Sequence, residues 1–186
     1  MPNDQPQAVI LMGVAGSGKT AVGQKLAEGL HWIFLDADNF HPPANIEKMK
    51  HGIPLNDDDR VPWLHRLHEE LQHRLAEGRS VILACSALKE SYRRTLRDHV
   101  SPLAFVYLDV DAETIRSRLQ HRTAHFFPKE LLESQFATLE RPKDAIIVDA
   151  RRSLEAVVAQ VTRALSEQGW RNMVEGRRNT RNTRKI

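Results

Sequence analysis

GVAGSGKT, residues 13–20, is the stretch on which the reading of the fold turns. It satisfies the spacing G-x-x-x-x-G-K-[S/T], and its surroundings suit it. The apolar run AVILM (8–12) precedes it, and Val22, Leu26 and Leu30 follow at helical spacing. Glycines let the chain turn so tightly that successive N–H groups point into one concavity, where the positive end of the next helix also favours anionic oxygens. A loop of this kind binds phosphate. Gly13, Val14, Ala15, Gly16, Ser17 and Gly18 supply the backbone cradle. Lys19 is placed to reach the β- and γ-phosphates of ATP, and the Thr20 hydroxyl to serve as a ligand of Mg²⁺.

Outward from the loop, short runs rich in Val, Ile and Leu recur at WIFLD (32–36), SVILAC (80–85), LAFVYLDV (103–110) and AIIVD (145–149). With AVILM they read as strands buried on both faces. Between them Leu67, Leu71 and Leu75 step by four, Ile115 and Leu119 do the same in a charged stretch, and a last helix starts near Ser153 with Val157, Val158, Val161 and Leu165. Alternating strands and helices predict an α/β fold, a parallel sheet flanked by helices with right-handed crossovers. Residues 42–78 and 122–140 interrupt the alternation, and both read as insertions that cover a ligand.

In LDADNFH the second strand ends with Asp36 and Asp38, beyond the carboxyl edge of the sheet where ligands gather in open α/β folds. Strand alternation predicts that both lie on one face. A phosphotransferase needs one acid near hydrated magnesium and another to orient or deprotonate the accepting hydroxyl. Asp36 suits the first role and Asp38 the second; a turn cap is the structural alternative for either. CSALK (85–89) carries no carboxylate at the end of the third strand, which gives Asp36 more weight as a candidate metal partner beside Thr20. Ser86 to Lys89 are expected to face the pocket, with Lys89 toward an anionic substrate. Arg116, Arg118 and Arg122 belong to an arginine-bearing segment, and Arg118 and Arg122 share a helix face. Guanidinium groups there can stack on adenine and neutralise a transferring phosphoryl group, the reading adopted for Arg118 and Arg122 respectively.

The 186 residues suit one compact domain, and 41% hydrophobic with 27% charged residues is ordinary for a soluble protein. No apolar run approaches the roughly 20 residues of a membrane span. The start, MPNDQPQAVILMG, lacks a basic leader followed by an apolar core and a cleavage site, so a secretory signal is not expected. Cys85, the only cysteine, reads as a buried strand residue, which fits a reducing cytoplasm. The formal charge is +3, but residues 171–186 hold six Arg and Lys against one Glu, so the first 170 residues stand at −2. A disordered basic extension is expected there, and nucleic acid is not the expected partner.

Together GVAGSGKT, LDADNFHPPANIEKMKHGIPLNDDDRVPWL, CSALKESYR and HFFPKELLESQFATLERP resemble the bacterial-type gluconate kinase family over almost all of residues 8–165. That family is similar to shikimate kinase and the nucleoside monophosphate kinases. The resemblance implies a P-loop kinase fold with a five-stranded parallel sheet ordered 2-3-1-4-5, a substrate-binding helical insertion (about 42–78) and a short lid (about 122–140). It further implies phosphorylation of D-gluconate on its 6-hydroxyl by ATP with Mg²⁺, in a homodimer. Asp38, His41, Arg60 and Lys89 are the residues assigned to the substrate, with Arg60 clamping its carboxylate. Asp57, Asp58 and Asp59 precede a helix containing Trp63, Leu64 and Leu67, so Asp59 or a neighbour is expected to cap it, with Pro62 in its first turn. Which aspartate touches substrate is left open. The competing readings are a kinase for another carboxylated polyol such as shikimate, and a nucleotide-dependent module that binds nucleic acid without catalysis.

Overall fold

The structure, a computed structural model, describes residues 5–120 and 129–170. Five strands, β1 (Ala8–Met12), β2 (Ile33–Asp36), β3 (Val81–Ala84), β4 (Leu103–Asp109) and β5 (Ile146–Asp149), form one sheet. All neighbours are parallel and the order is β2-β3-β1-β4-β5, as the resemblance implied. The helices are α1 (Lys19–Leu30), α2 (Pro43–Lys50), α3 (Asp57–Ala76), α4 (Glu90–Arg97), α5 (Ala112–Gln120), α6 (Lys129–Thr138) and α7 (Leu154–Glu167).

Period-two alternation sorts each strand between two cores. Val9 and Leu11 of β1, with Val106, Leu108, Ile146 and Val148, pack against Val22 and Leu26 of α1, Ile115 of α5 and Val157, Val161 and Leu165 of α7. Ala8, Ile10 and Met12 face the other way, with Leu83, Phe105 and Tyr107, against Trp63, Leu64, Leu67 and Leu71 of α3 and Tyr92 and Leu96 of α4. The central strand β1 is therefore sealed on both faces. The outer strands depart from the expectation of two buried faces: β2 is only half-buried throughout, and Ile147 of β5 is 45% exposed, because helix cover thins at the sheet's margins. On the β2 side α1 lies so close that a Cβ at Gly23 would come within 2.5 Å of the Phe34 ring.

Helix ends show where the sequence stops helices and where it leaves them open. Ser153 caps α7 by accepting from the Ala156 N–H at 3.3 Å. Helix α3 starts with a reciprocal capping box, in which Asn56 Oδ1 accepts from Asp59 N–H at 2.8 Å and Asp59 Oδ2 from Asn56 N–H at 3.0 Å. The cap is thus Asn56, not Asp59. Because the helix begins at Asp57, Pro62 lies one turn inside it rather than in its first turn, and cannot supply the N–H that the Asp58 carbonyl would otherwise receive. By contrast α1 has Gly18 at its N-cap, with no side-chain cap and no acid in its first turn, so its first N–H groups are open at the carboxyl edge of β1.

Candidate active site

The loop between β1 and α1 opens onto a cleft of about 550 Å³. Gly13 adopts φ 142°, and a Cβ there would lie 3.0 Å from Ser17 Oγ and 3.1 Å from the Leu108 carbonyl oxygen, so only glycine lets the turn settle on the sheet. Lys19 Nζ donates to the Gly13 and Val14 carbonyls, both at 2.9 Å, which holds the ammonium against the cradle it would share with phosphate. Burial pushes the Lys19 pKa down, opposed first by the Asp38 carboxylate. Ala15 N–H donates to Gln135 Oε1 of α6 at 2.6 Å.

Thr20 Oγ1 donates to Asp36 Oδ2 at 2.9 Å. A hydroxyl and a carboxylate oxygen this close are the hard donors that Mg²⁺ prefers. Among the described residues no group of three or more His, Cys, Asp or Glu could hold a metal by itself. The pair therefore fits an ion that takes its other ligands from water and phosphate. Asp36 also accepts from the Asp38 N–H at 3.1 Å and so caps the short 3₁₀ turn Ala37–Phe40. That turn ends the strand, so strand alternation is not what aligns the two acids; the cap is, and both line the cleft. Crowding by protein raises the Asp38 pKa, with Asp36 adding to the shift and Lys19 opposing it.

The far wall of the cleft is built around His41, buried and stacked on Trp63 with ring centroids 4.4 Å apart and planes 13° from parallel. Trp63 Nε1 donates to the Ala37 carbonyl at 2.8 Å, which ties α3 to the turn that carries Asp38. The buried Asn45 amide donates to the Asp59 carbonyl at 2.8 Å and lies 3.4 Å from His41 Nδ1. Since that nitrogen faces a donor, the neutral ring carries its proton on Nε2. Burial first, then Arg60, lowers the His41 pKa from 6.5 to about 4. Unfolded chain takes up this proton as pH falls through 6.5, whereas folded chain resists until about 4, so stability is lost across that window on acidification. Denaturant unfolding of wild-type protein should lose roughly 2 kcal/mol more between pH 7.5 and 5 than His41→Gln does. Parallel losses in the two proteins would mean that His41 titrates normally in the fold.

Arg60 lines the same cleft, and its Nη1 donates to Tyr92 Oη at 3.2 Å. Tyr92 Oη in turn donates to Asp57 Oδ1, and Lys89 Nζ binds both Asp57 oxygens at 2.8 Å. Hydrogen bonds from Lys89 and then Tyr92 lower the Asp57 pKa. Asp59 is engaged by the capping box and by Lys48 Nζ at 2.6 Å. The aspartate triplet is thus a helix start whose first and third members are held by protein. Of Ser86 to Lys89, only Ser86 lines the main cleft. Ala87 and Leu88 are buried, their carbonyls accepting from the buried Arg93 at 2.9 and 3.0 Å, while Lys89 borders a shallower recess beside Asp57 that shares Leu55 and Arg60 with the cleft.

Arg118 lies apart from this group, its Nη2 donating to the Ala150 carbonyl after β5 at 2.6 Å. Arg122 and the first part of the expected lid, like residues 171–186, lie outside the described residues. Sequence reading did not single out Trp63, Asn45, Tyr92 or Gln135. Trp63 reads as core in an amphipathic helix, and no local spacing brings Gln135 to Ala15 across the chain.

Residues 9–142 match a protein family described as an AAA domain. The gluconokinase of Gluconobacter oxydans is 44% identical over 162 residues, which cover 86% of this chain and 91% of that protein. Among solved structures, a sugar kinase from Janibacter sp. HTCC2649 superposes with a TM-score of 0.82 at 41% identity, covering 92% of this chain and 99% of that one. A gluconokinase from Sinorhizobium meliloti gives 0.77 at 41% identity, covering 90% and 98%. With this identity, spread over a sheet and phosphate-binding loop of the expected order, the chain belongs to the gluconokinase family of P-loop kinases.

Proposed function

We propose that the protein transfers the γ-phosphoryl group of ATP to the 6-hydroxyl of D-gluconate, giving 6-phospho-D-gluconate and ADP. The observation that carries this reading is that one cleft joins the phosphate-binding loop, the acid Asp38 and the cation Arg60. The relatives' names supply the substrate. In this reading the Gly13–Thr20 backbone holds the phosphates, and Arg118 lies toward the base. Arg60 pairs with the substrate carboxylate and His41 Nε2–H with its oxygens, while Lys89 would have to leave Asp57 in the adjoining recess to join them. Thr20 and Asp36 would hold Mg²⁺, which when bound neutralises charge on the β- and γ-phosphates. Asp38 takes the proton of the accepting hydroxyl as its oxygen bonds to the γ-phosphorus, and ADP leaves with the electrons of the broken bond. Lys19, with Arg122, offsets charge on the transferred group.

The reading extends to one kinase domain over residues 1–170, with a substrate-binding insertion near 42–78, a lid near 122–140 and a basic tail at 171–186. It also takes the protein as a cytoplasmic homodimer. No described helix is long and apolar enough to cross a membrane. Coupled ADP release with MgATP across a panel of sugar acids tests the assignment. Turnover with gluconate well above the rest is expected, and turnover with shikimate but not gluconate would sink it.

Arg60 offers a sharper test of where the carboxylate sits. A charge-assisted two-point contact in a partly closed cleft is worth about 2 to 3 kcal/mol, so Arg60→Ala should raise the gluconate KM by roughly 30- to 150-fold and leave the ATP KM nearly unchanged. Arg60→Lys should recover only part of this, because an ammonium lacks the planar fork. An unchanged gluconate KM in Arg60→Ala would reduce Arg60 to a partner of Tyr92.

A further inference from the structure

The bond between Ala15 N–H and Gln135 Oε1 is not used by the scheme above. At 2.6 Å it joins the third residue of the phosphate-binding loop to a helix 120 positions away, and both residues line the cleft. Helix α6 does not depend on this bond for its position. Leu131 and Leu132 are buried, and the chain leaving the helix is fastened twice to the β3–α4 connection: Glu140 N–H donates to the Leu88 carbonyl at 2.9 Å, and Glu90 N–H to Glu140 Oε2 at 2.7 Å. Gln135 is thus held out over the loop from a packed arm, with its amide oxygen on a backbone N–H of the kind that takes phosphate oxygens.

We infer that Gln135 is a positioning residue that holds the Ala15 N–H in the empty loop and gives it up to the terminal phosphate of ATP, so that a triphosphate frees the Gln135 amide and a diphosphate leaves it in place. Two observations and one chemical argument support this. The inner phosphates belong over the open N-terminus of α1, at Gly18 and Lys19, where no side chain caps the helix. Ala15 is the loop residue that α6 overhangs, and it lines the cleft together with Asp38 and Arg60, so in the kinase reading it lies on the side of the transferred group rather than of the inner phosphates. A neutral amide oxygen satisfies the N–H against water but gives way to a phosphoryl oxygen, since a charged acceptor makes the stronger bond. Gln135 is therefore set to yield to the one ligand that brings a third phosphate.

The inference rests on reading the cleft as a phosphoryl-transfer site, and its test needs neither gluconate nor turnover. Calorimetric titration of the full chain with a non-hydrolysable ATP analogue and with ADP, each with magnesium, is compared for wild type, Gln135→Glu and Gln135→Leu. The glutamate keeps an acceptor of the same reach for Ala15 but repels phosphate; the leucine keeps bulk and offers no acceptor. Expected is at least a fivefold greater loss of affinity for the analogue than for ADP in Gln135→Glu, with Gln135→Leu binding the analogue within threefold of wild type or more tightly. A role confined to holding the empty loop predicts a near-normal Gln135→Glu. That result, an equal loss for both nucleotides, or a loss of analogue binding beyond threefold in Gln135→Leu would overturn the inference. Should the leucine variant not melt cooperatively, Gln135→Ala takes its place under the same criterion. Wild-type protein that binds neither nucleotide would instead remove the kinase reading itself.

Discussion

Lys19→Ala is expected to lose phosphoryl transfer by about 10²- to 10³-fold in kcat while keeping a cooperative unfolding transition close to that of wild type. The two halves of this expectation have separate causes. Among the described residues the ammonium bonds the Gly13 and Val14 carbonyls and joins no ion pair, so no tertiary contact between elements hangs on it. The core beneath is supplied by Val9, Leu11, Val22 and Leu26, which the substitution does not touch. Chemistry suffers because a positioned cation at the transferring group acts where charge is redistributed, in a site screened from water, and a single such donor is worth about 10²- to 10³-fold even where others remain. Stopped-flow or coupled turnover with thermal melting as the control measures both halves. Near-normal turnover would remove Lys19 from the chemistry, and loss of the unfolding transition would make it a structural residue.

Asp38→Asn should lower kcat by about 10²- to 10⁴-fold, with the gluconate KM changed far less, since a group that takes a proton in the transition state contributes little to ground-state binding. The pH profile supplies a second readout. Crowding and the nearby Asp36 carboxylate raise the Asp38 pKa, so the acid limb of wild-type kcat/KM belongs above the ordinary aspartate range: activity falls as pH drops through the raised value and Asp38 takes up its proton. In Asp38→Asn that limb should vanish along with the rate. A rise in KM with kcat preserved would make Asp38 a binding residue, and an unchanged acid limb would assign the titration to another group.

Much of the candidate site is legible in the sequence because several of the residues that line it come from one local motif. The glycine spacing, the lysine and the threonine of residues 13–20 act through backbone geometry that the motif itself dictates, and β1 before it is buried on both faces, so its pattern is unbroken. Asp36 and Asp38 were legible as a pair for a reason that did not survive. Alternation along a strand would have aligned them, but the chain leaves the strand at Asp36, and the acids meet at the cleft because one caps the turn that carries the other. The start of α3 was ambiguous because Asn56, Asp57, Asp58 and Asp59 are all competent caps. The choice of Asn56 goes with contacts no local rule contains, from Asn45 to the Asp59 backbone and from Lys48 to its carboxylate. Lys89 shows the same limit: its position at a sheet edge was readable, and its capture by Asp57, 32 residues away, was not. The His41–Trp63 stack and the Gln135–Ala15 bond are tertiary in the same sense.

Transfer of a phosphoryl group from ATP to the terminal hydroxyl of gluconate, as proposed for this cleft, leaves its mark in the connectivity of the product. Carbon and phosphorus NMR of the products from ¹³C-labelled D-gluconate and MgATP tests it most directly. The expected result is a single phosphomonoester, coupled to carbon 6, formed in equal amount with ADP. Phosphate on any other carbon, or ADP and free phosphate with the gluconate unchanged, would contradict it.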